Sequence, residues 1–316
     1  MIEIDGRRIG PGHAPYVIAE MSGNHNQSLD RALEIIDAIA TTGAHAVKLQ
    51  TYTADTMTLD IQDGDFLIDN PESLWNGYSL YQLYEKAHTP WDWHEALFDR
   101  ARQHGLTVFS TPFDDTAVDF LESLNVPAYK IASFENTDLA LIRKVARTGK
   151  PVILSTGMAS LSEIDQAVTT MRDEGNEQIV LLKCTSTYPA DPADSHLRTI
   201  PHLRDAFDVQ VGLSDHTPGI GVSLAATAFG ASVIEKHFTL DRSLPGPDHQ
   251  ASLEPVELAA MVRGIRDVEL ALGDGRKRVT ESEVANRIVV RRSIVAKQAI
   301  RKGEALSEHN LTTKRP

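Results

Sequence analysis

Eight short apolar runs rich in β-branched residues recur along the chain, and each ends in polar side chains. They span Tyr16–Met21, Ala46–Thr51, Thr107–Thr111, Ala128–Ser133, Pro151–Thr156, Gln178–Thr185, Val209–Asp215 and Ser232–Thr239. Most are continuously hydrophobic rather than alternating, the pattern of parallel strands covered on both faces. Between them the apolar period lengthens to that of helices. Ser28 is placed to N-cap a helix running to Thr42, with Leu33, Ile36, Ile39 and Ala40 on one face and Gly43 as its stop. Further helices are predicted over Pro90–His104, Asp114–Leu124, Asp138–Thr148, Ser160–Glu174, His196–Phe207, Gly219–Phe229 and Glu254–Leu272. Ser160-Leu161-Ser162-Glu163 reads as a capping box.

Eight strand–helix units predict an α/β fold, a (β/α)8 TIM barrel over residues 1–272. A doubly wound open sheet is the alternative, but no Gly-rich fingerprint follows the first strand. The long insertion Tyr52–Thr89, with Trp75, Tyr78, Tyr81 and Tyr84, is expected at the C-terminal face, where such barrels keep their active sites. Beyond Leu272 the pattern changes. Residues 273–287 read as a charged linker, Ile288–Ala296 as a strand, and Ile300–Leu306 as strand, turn, strand. Residues 288–316 are too few for a core of their own, so they read as the start of a small β-rich domain or as an arm that packs on something else. Met1–Pro15 reads as polar and punctuated by Gly and Pro, without the apolar stretch of a signal peptide.

Composition narrows the function. The 316 residues carry a formal net charge of −13, with 41% hydrophobic and 24% charged residues, and the pI is ≈ 5.4. This acidity argues against nucleic acid or an anionic membrane as partner. A small anionic substrate remains compatible, because a few local lysines dominate within about a Debye length. No apolar run approaches the ~18 residues of a membrane span. The lone cysteine, Cys184, permits no internal disulfide, and a cytoplasmic setting is expected. Cys184 itself reads as a small buried residue with no base near it in sequence.

The candidate chemistry sits at the strand ends. His216 ends Gly212-Leu213-Ser214-Asp215-His216 and His237 lies in Glu235-Lys236-His237-Phe238. If those strands are neighbours, ~4.8 Å apart, the two imidazoles can share a divalent metal such as Mn²⁺, with Asp215 and Glu235 as partners behind them. The alternative is a pair of histidines satisfied by hydrogen bonds. Lys48 and Lys130 lie inside apolar strands and must find a counter-charge. A salt bridge would serve, but two cases at one barrel end favour a bound anion. Lys183 reads as structural, and Lys236, alternating away from Glu235 and His237, as facing the helices. Ser110, Thr111, Ser133, Ser155, Thr156, Ser186 and Ser214 also end strands and can donate to phosphate or carboxylate oxygens. Glu20, Glu135 and Asp248 are acids at the same end. His13, His45, His104, His202 and His309 are expected to be solvated. These residues alone leave three readings open: chemistry on a phosphorylated small molecule, a metal-dependent hydrolase or aldolase, and a non-catalytic sugar-binding barrel.

A set of strings narrows this further. Ile18-Ala19-Glu20-Met21-Ser22-Gly23-Asn24-His25-Asn26, Val47-Lys48-Leu49-Gln50-Thr51, Ser110-Thr111-Pro112-Phe113, Tyr129-Lys130-Ile131-Ala132-Ser133, Leu154-Ser155-Thr156-Gly157-Met158, Gly212–His216 and Glu235–His237 resemble the sialic acid synthase family. The resemblance runs from Tyr16 to Pro316. It implies condensation of phosphoenolpyruvate with an acetamido sugar, a divalent metal (Mn²⁺ or Mg²⁺) and a domain-swapped homodimer. The segments Ser22–Ala32 and Leu49–Thr53 are most similar to the branch that uses 2,4-diacetamido-2,4,6-trideoxy-L-altrose. Carried over by motif, His216 and His237 would ligate the metal. Lys48, Thr111, Lys130, Ser133, Ser155, Ser186 and Ser214 would surround phosphoenolpyruvate, with Ser186 standing where sialic acid synthases have asparagine. Gln50, Glu135, Tyr188 and Asp248 would face the sugar, and Glu20 would handle a proton. The tail resembles the opening of the family's antifreeze-like (SAF) domain, which is incomplete here. Arg315, in Thr313–Pro316, matches the arginine that reaches a partner's sugar site.

Overall fold

The computed structural model describes residues 1–70 and 75–315 and divides into two compact units, Met1–Ala271 and Leu272–Pro316. The first is the expected barrel. It opens with a hairpin, β1 (Ile2–Ile4) and β2 (Arg7–Ile9), and continues with β3 (Tyr16–Glu20), β4 (Ala46–Thr51), β5 (Thr107–Pro112), β6 (Tyr129–Ile131), β7 (Val152–Ser155), β8 (Ile179–Cys184), β9 (Gln210–Asp215) and β10 (Val233–His237). Strands β3 to β10 are all parallel and close in sequential order, with β10 pairing back onto β3. Each predicted strand run matches one of them, β5 running one residue further, to Pro112. The hairpin was not expected. Asp5 and Gly6 turn it with φ of 50° and 75°, the left-handed pair that a two-residue hairpin needs. It buries Ile2, Ile4 and Ile9 in the core.

The helices are α1 (Leu29–Ala40), α2 (Ala54–Met57), α3 (Leu80–Ala87), α4 (His94–Gln103), α5 (Asp115–Ser123), α6 (Leu139–Ala146), α7 (Leu161–Asp173), α8 (Thr199–Phe207), α9 (Gly221–Ala228), α10 (Pro255–Leu272) and α11 (Glu281–Val289). Ser28 caps α1 by accepting from the Arg31 N–H, and Ser160 with Glu163 forms the capping box of α7. The buried face of α1 is Ala32, Ile35, Ile36 and Ile39, with Leu33 and Ala40 at its margins, a slight rotation from the expected stripe. Helices α2 and α3 belong to the insertion after β4; its residues 71–74 lie outside the described set.

Of the histidines expected in solvent, His45 is half-buried and held, while His104 stays exposed as expected and pairs at the surface. The His45 ring stacks on Tyr16 and accepts from the Val17 N–H at 2.8 Å; burial pushes its pKa down to about 3. His104 meets Asp37 at 2.7 Å. Neither partner is close in sequence, so neither was visible there.

In the second unit, Thr280 and Glu283 form a capping box and start α11 inside the stretch expected to be a linker. Helix α11 also takes Ile288 and Val289, so the strand expected over Ile288–Ala296 is reduced to β11 (Ser293–Ala296). Its antiparallel partner is β12 (Leu311–Lys314). The expected strands over Ile300–Leu306 are absent; Gly303, with φ of 86°, turns the chain there. Arg315 is exposed at the end of this unit, and Pro316 lies outside the described residues.

Candidate active site

Strand parity decides which residues meet at the C-terminal mouth of the barrel. Lys48 on β4 pairs in register with Glu20 on β3, and its Nζ lies 2.5 Å from Glu20 Oε2 and 3.1 Å from Thr111 Oγ1. Lys130 Nζ donates to Ser155 Oγ at 2.7 Å and to the Ile131 carbonyl. Glu235 joins them: its Oε1 is 3.8 Å from Lys48 Nζ, 3.9 Å from Lys130 Nζ and accepts from Ser214 Oγ at 3.3 Å. All four charged groups are buried. The two lysines therefore carry carboxylate partners, and the expectation of a cation pair awaiting an anion needs that correction. Glu235 was expected only as a partner behind the histidines. It is the counter-charge shared by both lysines, and only the closing of the barrel makes that visible.

Burial sets the protonation of this group. It raises the Glu20 pKa to about 7, with Lys48 opposing. For Glu235 burial also pushes upward, but Lys130 and Lys48 outweigh it and keep the carboxylate charged. Burial lowers Lys130, while for Lys48 the two glutamates overcome burial and raise it. Near neutral pH Glu20 thus exchanges its proton, and the protonated state leaves two ammonium groups against one carboxylate. That state carries the positive excess that suits an anion.

Beside Lys130, Ser133 Oγ accepts from the Gly157 N–H at 3.1 Å. A side chain at Gly157 would collide with Ser186 Oγ at 2.1 Å and Ser133 Oγ at 2.7 Å, so the two hydroxyls converge only around a glycine. Thr111, Ser155 and Ser214 thus contact the lysine–glutamate cluster, while Ser133 and Ser186 converge at Gly157. Two other strand-end hydroxyls do neither. Ser110 faces outward to Thr51 at 2.6 Å, and Thr156 donates to the Leu182 carbonyl.

The histidines are neighbours. His216 and His237 have ring centroids 5.2 Å apart, and Tyr188 covers both, 4.1 Å from His216 and 5.7 Å from His237. His216 donates from Nδ1 to the Thr185 carbonyl at 2.8 Å, which fixes the tautomer and leaves Nε2 with its lone pair. His237 Nδ1 is buried without a hydrogen-bond partner among the described residues. Burial, reinforced by His216, holds His237 well below the usual histidine pKa, hence neutral. The Nε2 lone pair of His216 and the orphaned nitrogen of His237, on adjacent rings, fit a divalent ion. Among the described residues no third His, Cys, Asp or Glu joins them in a metal-holding group, so further ligands would be water or substrate.

Asp215, expected behind the histidines, turns the other way. It pairs with Lys236 at 3.0 Å and accepts from Ser223 and from Thr217. Lys236 faces outward as its parity implied. Lys183 likewise points away, to Thr185 Oγ1 and the Asp194 carbonyl. Cys184 is buried as expected, but an imidazole lies near it in space: its Sγ is 3.9 Å from His216 Nδ1. Burial raises the thiol pKa, yet the His216 contact overcomes it and brings it down to about 7.

Above the lysines and histidines opens a cavity of about 290 Å³. Gln50, Ser133, Tyr188, His237 and Asp248 line it, which places three of the four expected sugar-side residues on its wall. The fourth, Glu135, sits in the 3-10 turn Ser133–Glu135, half-buried, with Oε2 unpartnered among the described residues. Burial raises its pKa to about 7, opposed by Lys130. Asp248 accepts from Ser22 Oγ, and its pKa is raised by burial. The loop after β3 also ties the mouth together. Asn26 donates to the Pro245 carbonyl at 2.6 Å and meets His249 Nε2 at 2.8 Å. Gln27 donates to the carbonyls of Lys86 and His88 at the C-terminal end of α3. Ser22, Asn26 and Gln27 all hold positive φ.

With this geometry in place, the comparisons are direct. Residues 35–277 match the model of the NeuB family. The chain is 46% identical over 302 residues to the pseudaminic acid synthase of Helicobacter pylori, covering 96% of this chain and 88% of that one. It is 43% identical over 303 residues to the N,N'-diacetyllegionaminic acid synthase of Campylobacter jejuni, covering 95% and 90%. Among solved structures it resembles the N-acetylneuraminic acid synthetase of Leptospira borgpetersenii, with a TM-score of 0.81, 32% identity, and 91% and 95% of the two chains covered. The chain belongs to the NeuB family, the sialic acid synthases.

Proposed function

We propose that this protein is a pseudaminic acid synthase, a transferase that condenses phosphoenolpyruvate with 2,4-diacetamido-2,4,6-trideoxy-L-altrose and releases phosphate. The observation that carries this reading is the adjacency, in one barrel mouth, of the His216–His237 pair and the buried Lys48–Glu235–Lys130 cluster. The identity to the Helicobacter pylori enzyme supports the choice of sugar.

The residues divide the work. Lys48 and Lys130, with Thr111, Ser133, Ser155, Ser186 and Ser214, hold the phosphate and carboxylate of phosphoenolpyruvate. Gln50, Glu135, Tyr188 and Asp248 orient the sugar so that its aldehyde carbon faces carbon 3 of phosphoenolpyruvate. A C–C bond forms there, water adds at carbon 2, and phosphate leaves with C–O cleavage. The lysines stabilise the charge that accumulates on the phosphate side. Glu20, whose pKa lies near 7, takes up and returns a proton at neutral pH. His216 and His237 would hold a divalent ion, Mn²⁺ or Mg²⁺, whose contribution when bound is Lewis-acid polarisation of the aldehyde. Residues 288–316 are the antifreeze-like segment, and Arg315 from a second copy closes the sugar site in a domain-swapped homodimer.

The test is mass spectrometry of the products from a panel of acetamido sugars with phosphoenolpyruvate and Mn²⁺. The expected result is a nine-carbon acid from the diacetamido trideoxy sugar, with phosphate release only when both substrates are present. Preferred turnover of a different acetamido sugar would reassign the substrate. Phosphate release from phosphoenolpyruvate alone would refute the synthase.

A further inference from the structure

The cavity has two unlike walls, and one of them has no role in the chemistry described so far. Tyr52, the residue after β4, lines the cavity and is only 3% exposed. Edge-to-face contacts with Phe113, 5.2 Å between centroids, and with Tyr84, 5.8 Å, hold its ring. Its carbonyl accepts from Trp91 Nε1, but its hydroxyl has no hydrogen-bond partner among the described residues. Tyr84 lines the same cavity with its own hydroxyl unpartnered among those residues. Met57 and Leu83 provide apolar surface on the same wall. The ring is locked, and neither hydroxyl is among the buried polar atoms, so both open onto the cavity, where a bound ligand can meet them in place of water.

The chemistry of that ligand group follows from what surrounds it. Burial raises the phenol pKa of both tyrosines, so each stays protonated and able to donate. Negative charge acts on both, Asp248 on Tyr52 and Glu135 on Tyr84, which disfavours an anionic group on this wall. A bare methyl group would leave the hydroxyls unpaired. A lone sugar hydroxyl would leave Met57 and Leu83 uncovered. An acetamido group answers all three: a carbonyl that accepts from a phenol, an N–H that suits a carboxylate, and a methyl for the apolar surface.

We propose that Tyr52 and Tyr84, with Met57 and Leu83, form a specificity subsite for the second acetamido group of a diacetamido sugar. The proposal rests on the synthase reading and assigns the feature by which the site separates diacetamido from monoacetamido sugars. Tyr52 is the principal donor, because it is the more deeply buried of the two and the loss of its partner costs most.

The experiment compares wild type with Tyr52→Phe, which keeps the ring and its edge-to-face packing. Two sugars are used, the 2,4-diacetamido-2,4,6-trideoxy sugar and its counterpart with a hydroxyl at carbon 4. KM is measured for each, or the dissociation constant by calorimetry where turnover is absent. The expected result is a rise of roughly tenfold for the diacetamido sugar, the worth of one net hydrogen bond. The carbon-4 hydroxy sugar should change less than about twofold, and the KM for phosphoenolpyruvate should not move. An equal change for both sugars, or no change for either, would overturn the subsite. If wild type condenses an acetamido sugar yet Tyr52→Phe leaves its preference intact, only the subsite falls. If wild type binds neither sugar, the synthase reading falls with it.

Discussion

Removing Glu235 is the sharpest test of the buried charge cluster. Its Oε1 lies 3.8 Å from Lys48 Nζ and 3.9 Å from Lys130 Nζ, and its side chain is 5% exposed. At an effective dielectric of about 20, each contact is worth about 4 kcal/mol of attraction. Ser214 adds one hydrogen bond of about 1 kcal/mol. Against this stands the cost of burying the carboxylate, several kcal/mol, which Glu235→Gln recovers. Lys48 retains Glu20 after the substitution, but Lys130 is left with only hydroxyl and carbonyl partners. The net expectation is that of breaking a buried ion pair, a loss of roughly 3–5 kcal/mol. In a barrel of this size that lowers Tm by about 10 °C, measurable by calorimetry or circular dichroism. A second readout separates charge from packing. Without the carboxylate that competes for the lysines, inorganic phosphate should raise the Tm of Glu235→Gln more than it raises that of wild type. A variant within about 1 kcal/mol of wild type, with no greater response to phosphate, would refute the reasoning. It would mean that Lys130 is already neutral in the folded protein and needs no counter-charge.

The other expectations are briefer. His216→Ala and His237→Ala should each abolish Mn²⁺-dependent phosphate release while leaving the far-ultraviolet circular dichroism spectrum unchanged; full activity of either variant in a chelator would remove the metal assignment. Gly212→Ala should destabilise the barrel by about 3 kcal/mol or more, because its Cβ would lie 2.2 Å from the Val233 carbonyl and 2.7 Å from Leu182 Cδ2; an unchanged urea midpoint would show that β9 and β10 are not packed so closely. Glu135, raised from an ordinary 4.5 to about 7, favours the folded state most below pH 4.5 and loses that contribution as pH rises through 7. Glu135→Gln should therefore flatten the fall in urea midpoint between pH 5 and 8, and an identical fall in variant and wild type would place Glu135 in a solvated setting.

The barrel was legible in the sequence because its signals are local. A continuous apolar run closed by polar residues marks a buried parallel strand, and a Ser–Glu pair three apart marks a helix start, wherever the chain carries them. The misses follow the same logic. Asp5–Gly6 is a hairpin signal, but in a stretch too short for periodicity to speak. Thr280 and Glu283 form the same capping box as Ser160 and Glu163, inside a stretch whose charge masks it. Ile300–Leu306 has the expected turn, at Gly303, but not the strands on either side, because β11 pairs instead with a segment further on.

The site was legible by residue type and not by pairing, and β9 and β10 show why. Along β10 the sequence carries Glu235, Lys236 and His237, three groups of similar apparent interest. Parity alone sends Glu235 and His237 inward and Lys236 outward, and the structure agrees. The same rule applied to β9 sends Ser214 inward and Asp215 outward, where Lys236 meets it at 3.0 Å. Asp215 was therefore assignable from sequence to the helix side, once strand and register were granted. Glu235 was not. Its lysine partners come from β4, one strand beyond its neighbour β3, and from β6, opposite it in the closed ring, and no spacing along the chain encodes those distances. A sequence can say which side chains face into such a barrel. Which of them share a charge depends on strands meeting across the interior, and here that meeting turns two apparently free cations into a paired cluster with one proton to exchange at Glu20.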